Sequence, residues 1–130
     1  MGKRKIMEVE KLRSVSRDWL KKKVQFVDWG DAVEVATPLI GSYGDNLYAW
    51  IEKVDGYWRI SDDGSISFKI DPLQENWELL EQVEDIVIGS GFDYDEEHGV
   101  IFGEVEDLAD VPETVSDLLQ LQIALSYLGS

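Results

Sequence analysis

Two runs rich in aromatic and β-branched residues, Leu47 to Val54 and Tyr57 to Ser61, are separated by Asp55-Gly56 alone. A two-residue link of this composition ties neighbouring antiparallel strands, because both central residues can adopt the positive φ that matches the twist of the strands. The chain is therefore committed to a sheet at its centre. Val24 to Asp28 and Ala32 to Thr37 flank Trp29-Gly30-Asp31 and read as an earlier hairpin, with Pro38 ending its second strand. After the Asp62-Asp63-Gly64 turn, Ser65 to Ile70 alternates apolar and polar residues and is expected to add a further strand to the meander.

Helical periods bracket this sheet. Ile6, Val9, Leu12, Val15, Trp19 and Leu20 recur at steps of three and four, which predicts an amphipathic helix over about residues 5–22. A second helix is expected from Asp71-Pro72 to about Ile88. Asp71 would be its N-cap, Pro72 its first residue, Gln74 a reach-back partner, and Leu73, Trp77, Leu80, Val83 and Val87 its buried stripe. Gly89-Ser90-Gly91 terminates it. Phe92 to Tyr94 and Val100 to Val105 form a late hairpin, and Pro112 opens a last helix with apolar residues on more than one side. The expected architecture is a single α+β domain over 1–130: a basic helix (1–23), a strand meander (24–70) and a helix-hairpin-helix segment (71–130). N-terminal, central and C-terminal helices would pack on one antiparallel sheet.

A chain of 130 residues buries enough surface to fold without disulfides or structural zinc. Having no Cys, it excludes thiolate metal sites, iron–sulfur clusters and cysteine nucleophiles. No apolar run approaches the ~20 residues of a membrane helix, and no signal-peptide core follows the basic start, so a cytoplasmic protein without membrane association is expected.

Charge is unevenly placed. Residues 1–23 carry nine Lys and Arg against Glu8, Glu10 and Asp18, a net +6, whereas residues 24–130 carry Lys53, Arg59 and Lys69 against 24 carboxylates, a net −21. From Asp71 onward there are 16 carboxylates and no Lys or Arg. Such a body repels phosphates and attracts basic surfaces, so its expected partner is a basic protein and not nucleic acid itself. The basic helix admits three readings: an internal complement to the acidic body, a solvated cationic face, or a contact for an anionic partner.

Ala36-Thr37-Pro38-Leu39-Ile40, Asp45-Asn46-Leu47-Tyr48-Ala49-Trp50-Ile51, Gly56-Tyr57-Trp58-Arg59-Ile60-Ser61-Asp62-Asp63-Gly64 and Gly99-Val100-Ile101-Phe102, followed by a terminal amphipathic helix, together resemble a bacterial and phage domain family of unknown function, number eighteen twenty-eight. The resemblance covers about residues 32–128. Where that family usually continues with a Leu-rich, Gly-containing connection, this chain has Ser65-Ile66-Ser67-Phe68-Lys69-Ile70 and Asp71-Pro72. The resemblance implies a phage or mobile-element context and no reaction, cofactor or catalytic residue.

Three constellations compete for a function. Asp93, Asp95, Glu97 and Glu104 stand at the first, third, fifth and twelfth positions of a calcium loop, but His98 occupies the sixth, where the sharp turn needs Gly. Asp62 and Asp63 could hold magnesium with distant acids, yet Asp-Asp-Gly is equally a plain turn. His98 is the only imidazole, and no Gly-x-Ser-x-Gly elbow accompanies it. The third constellation is the row Glu75, Glu78, Glu81, Glu84 and Asp85, spaced to share one side of the second helix, with a second patch at Asp93, Asp95, Glu96 and Glu97. Rows of carboxylates destabilise a helix, and solubility alone does not require them. The expected function is a non-enzymatic, cofactor-free interaction protein whose acidic surface blocks a host nucleic-acid-binding enzyme or defence effector, as a DNA mimic or anti-defence inhibitor such as an anti-CRISPR protein. A metal-dependent enzyme, a calcium module using Asp62, Asp63 or the Asp93 to Glu104 loop, and a toxin–antitoxin or regulatory partner domain are the alternatives. Tyr48, Trp50, Tyr57 and Trp58 are expected chiefly to pack across strands.

Overall fold

The computed structural model describes the backbone of residues 2–128 and the side chains of residues 8–128. Among the described residues four helices and six strands form an α+β fold: α1 (Gly2–Lys23), β1 (Gln25–Asp28), β2 (Val33–Ile40), β3 (Asn46–Val54), β4 (Tyr57–Ser61), α2 (Ser65–Ile70), α3 (Trp77–Gly89), β5 (Asp93–Asp95), β6 (Val100–Val105) and α4 (Val111–Leu125). The strands make one antiparallel sheet in the order β1-β2-β3-β4-β6-β5. The late hairpin thus joins the meander through β6, with Ile60 opposite Gly103.

Local chemistry sets these elements. Asp55 and Gly56 both have positive φ (52° and 86°), the pair of conformations a twisted two-residue hairpin demands, and Tyr57 pairs with Val54 across it. Alternation along β3 puts Leu47, Ala49 and Ile51 inward and Tyr48 and Trp50 outward, where Trp50 lies 6.5 Å from Trp29. Trp58 packs against the core while Tyr57 is exposed, as opposite faces require. Pro38 does not end β2. The β2–β3 register shifts between Ala36 and Ile40, which accommodates a residue with no N–H to give.

The core lies on one face of the sheet, where Val35, Ala49, Ile60 and Ile101 meet Leu118 and Leu125 of α4, Ile66 of α2, and Val83 and Val87 of α3. The last helix is buried on more than one side, as its composition predicts; even Gln122 is enclosed, its amide donating to the Tyr48 carbonyl at 3.0 Å.

Two central elements differ from expectation. Ser65–Ile70 is a helix and not a strand. The Asp62 carboxylate accepts from the backbone N–H of Gly64 (2.9 Å) and Ile66 (3.1 Å), and Gly64 takes a left-handed φ of 79°, so the chain coils as it leaves β4. The edge of β4 that a further strand would use is already paired with β6. Asp71-Pro72 does not start the next helix either. Asp71 ends α2, and its carboxylate accepts from the N–H groups of Glu75 (3.0 Å) and Asn76 (2.8 Å), closing a loop through Gln74 at φ 55°. Asn76 is the true N-cap, taking the Leu79 N–H at 3.1 Å. Leu73 and Trp77 consequently lie outside the buried stripe, 72% and 65% exposed.

The basic helix differs in its environment. Its apolar stripe is uncovered, Leu12 and Val15 being 62% and 61% exposed. Among the described residues its Lys and Arg side chains make one ion pair, Arg13 with Glu10 on the same helix, and none with the acidic body. Lys3, Arg4, Lys5 and Ile6 fall, as side chains, outside the described residues.

Candidate partner-binding face

The acidic row divides at the helix start. Glu78, Glu81, Glu84 and Asp85 belong to α3, with Glu78 in its first turn, where the positive end of the helix dipole favours a carboxylate. Glu75 precedes the helix, in the loop that Asp71 caps. Opposite the row, Val83 and Val87 bury the helix against the β5 end of the sheet.

That packing carries the row to the second patch. Leu80 of α3 and Glu96 and Glu97 of the β5–β6 turn line one cleft, and the neighbouring Glu96, with the charges of Asp85 and Glu81, raises the Glu84 pKa from its ordinary value. Row and turn are therefore one surface.

The turn is rigidly built. Asp95 Oδ1 accepts from the N–H groups of Glu97 (3.0 Å) and His98 (3.3 Å), its Oδ2 lies 2.9 Å from His98 Nδ1, and Gly99 closes the turn at φ 67° with its N–H 2.7 Å from the Asp95 carbonyl. The Asp95 hydrogen bond raises the His98 pKa, and the same bond lowers that of Asp95. This pair was not singled out from the sequence, although an Asp followed by Gly four residues later is the available signal. Its stabilising contribution is complete above the ordinary Asp value of 3.8 and below the ordinary His value of 6.5; it fades as pH falls through the lowered Asp value or rises through the raised His value. NMR titration of the lone imidazole should give a pKa above 6.5, and Asp95→Asn should bring it back down. A wild-type value at or below 6.5 contradicts the pairing.

Between this turn, α2 and the start of α3 lies an open cleft of about 520 Å³, lined by Ser67, Asp71, Leu80, Tyr94, Glu96 and His98. Burial raises the Tyr94 pKa, and the Tyr94 hydroxyl lies 2.9 Å from Ser67 Oγ. A cleft with this rim suits a long cationic side chain, whose stem would lie along Leu80 and whose head would meet carboxylates.

The other constellations do not assemble. Among the described residues no three His, Asp or Glu side chains converge to hold a metal ion. Asp93 and Asp95 stand opposite Phe102 and Val100 in a hairpin, and Glu104 faces Arg59 at 3.5 Å, so the calcium spacing is absorbed by strand pairing. Asp62 is 1% exposed and engaged with three backbone N–H groups, so its carboxylate is turned into the fold and not toward a cation beside Asp63. Glu113 and Asp117 lie on α4, whose Pro112 and Ser116 adjoin β1 and β2, and so do not extend the α3 face. No helix among the described residues is long and apolar enough to cross a membrane.

Comparison with protein-family models, with curated proteins and with solved structures finds no match to this chain.

Proposed function

We propose that this is a non-enzymatic interaction protein that presents the face made by α3 and the β5–β6 turn to a basic, nucleic-acid-binding protein and so competes with nucleic acid for it. The observation that supports the reading is the packing of α3 on β5, which sets the carboxylates of α3 beside those of the β5–β6 turn around one cleft. Like charges gathered on one side of the molecule oppose folding, and a surface needing only solubility would scatter them. Helical steps of about 5 Å set the α3 carboxylates within a factor of two of the roughly 3.4 Å phosphate spacing of one DNA strand, and a cationic groove gains counterion release from such a row without reading a sequence. The phage-like resemblance of residues 32–128 makes a host defence effector the most specific form of this partner.

Immobilised protein should capture a basic nucleic-acid-binding protein from bacterial lysate at low salt. A several-fold rise in salt should release it, and duplex DNA should compete for it. Retention that ignores both salt and DNA contradicts the proposal.

A further inference from the structure

At the other end of the sheet, α1 leaves its apolar stripe bare beside an equally bare groove. The groove, about 410 Å³, is lined by Trp19, Leu20, Phe26, Leu39, Val115 and Leu119. Val9, Leu12, Val15, Trp19, Leu20, Phe26 and Leu39 are each 42–66% exposed, a contiguous patch larger than single stranded apolar residues would account for. The helix cannot fill its own groove. It runs unbroken to Lys23, the Val24 N–H still bonds the Leu20 carbonyl, and β1 begins at Gln25, so no linker lets the N-terminal half turn back. Trp19 and Leu20 form one wall of the groove, while Val9, Leu12 and Val15 continue along a helix about 33 Å long.

We infer that two copies of this chain pair about a two-fold axis, the α1 helix of each laying Val9, Leu12 and Val15 into the groove of the other. The surfaces complement each other in charge as well as polarity. Helical spacing sets Lys11 on one flank of the stripe and Arg13 and Arg17 on the other. The groove is bordered on α4 by Glu113 and Asp117, which share a helix face with Ser116 and Gln120 of its lining. Helix and groove both belong to every copy, so reciprocal insertion about the two-fold axis satisfies both in each copy and closes at two. It buries the exposed stripe twice over and places the net +6 segment of one copy against the −21 body of the other. This pairing stands independently of the α3 face, which lies at the opposite end of the sheet.

Light scattering on the eluting full-length chain should give twice the 14.8 kDa mass at micromolar concentration. Phe26→Asp changes a groove side chain that is 66% exposed, and Glu113→Lys with Asp117→Lys changes exposed positions, so the fold should survive in both. Each variant should raise the dimer dissociation constant by at least about tenfold, as should Leu12→Asp with Val15→Asp. A chain that stays at 14.8 kDa, including one whose helix adheres instead to anionic vesicles, overturns the inference. So does a dimer that Leu12→Asp with Val15→Asp disrupts but Phe26→Asp leaves unchanged, since that would be helix pairing without the groove.

Discussion

Asp62→Ala is expected to remove a large share of the stability of the fold. The wild-type carboxylate is 1% exposed and accepts from the N–H groups of Gly64 at 2.9 Å, Ile66 at 3.1 Å and Ile101 at 2.9 Å. It thus joins the end of β4 to the start of α2 and to β6, elements 39 residues apart in the chain. Burial pushes its pKa up, and the three N–H donors hold that rise back. Ala leaves all three donors buried without a partner, at roughly 1–3 kcal/mol each. The total, about 3–6 kcal/mol after some relaxation, is comparable with the ~5–15 kcal/mol that holds a domain folded. Asp62→Asn keeps one acceptor for Gly64 and Ile101 but sets an NH2 group against the Ile66 N–H, so its loss should be smaller and still measurable. Urea unfolding followed by the fluorescence of the five Trp residues reads both variants directly. Midpoints equal to wild type would mean that Asp62 is not the clamp between these elements.

Asp62 also explains where sequence reasoning succeeds and where it stops. The hairpin at Asp55-Gly56 is legible because two residues with positive φ and the strands around them are consecutive in the chain. The burial of α4 is legible because its apolar residues exceed one stripe. Ser65–Ile70 is not, because its period of two is a strand pattern that loses to a buried carboxylate capturing the first N–H groups and to a sheet edge already occupied by β6. Asp71 misleads for a related reason: Asp-Pro carries the signature of a helix start, yet the same carboxylate can close a loop onto Glu75 and Asn76, and only the packing of α2 decides between them. Periodicity correctly marks an apolar face on α1 but says nothing of what lies opposite it.

The candidate face divides in the same way. Glu78, Glu81, Glu84 and Asp85 follow from helical spacing, which is local. The placing of this row beside the β5–β6 turn depends on α3 packing against β5, and no short-range pattern reports that. The Asp95–His98 pair lies within a stretch whose sequence spacing matches a calcium loop, whereas in the structure these residues close a hairpin turn.

The most direct measurement compares two quadruple variants of equal charge change. One neutralises the joined face through Glu81→Gln, Glu84→Gln, Glu96→Gln and Glu97→Gln. The other neutralises Asp18→Asn, Asp31→Asn, Asp55→Asn and Glu106→Gln, exposed acids elsewhere on the molecule. With both variants folded, capture of the basic partner at low salt should fall at least about a hundredfold for the first, each desolvated pair contributing ~1 kcal/mol or more, and should stay near wild type for the second. Equal losses in the two, or none in the first, would contradict the claim that α3 and the β5–β6 turn form a single recognised surface.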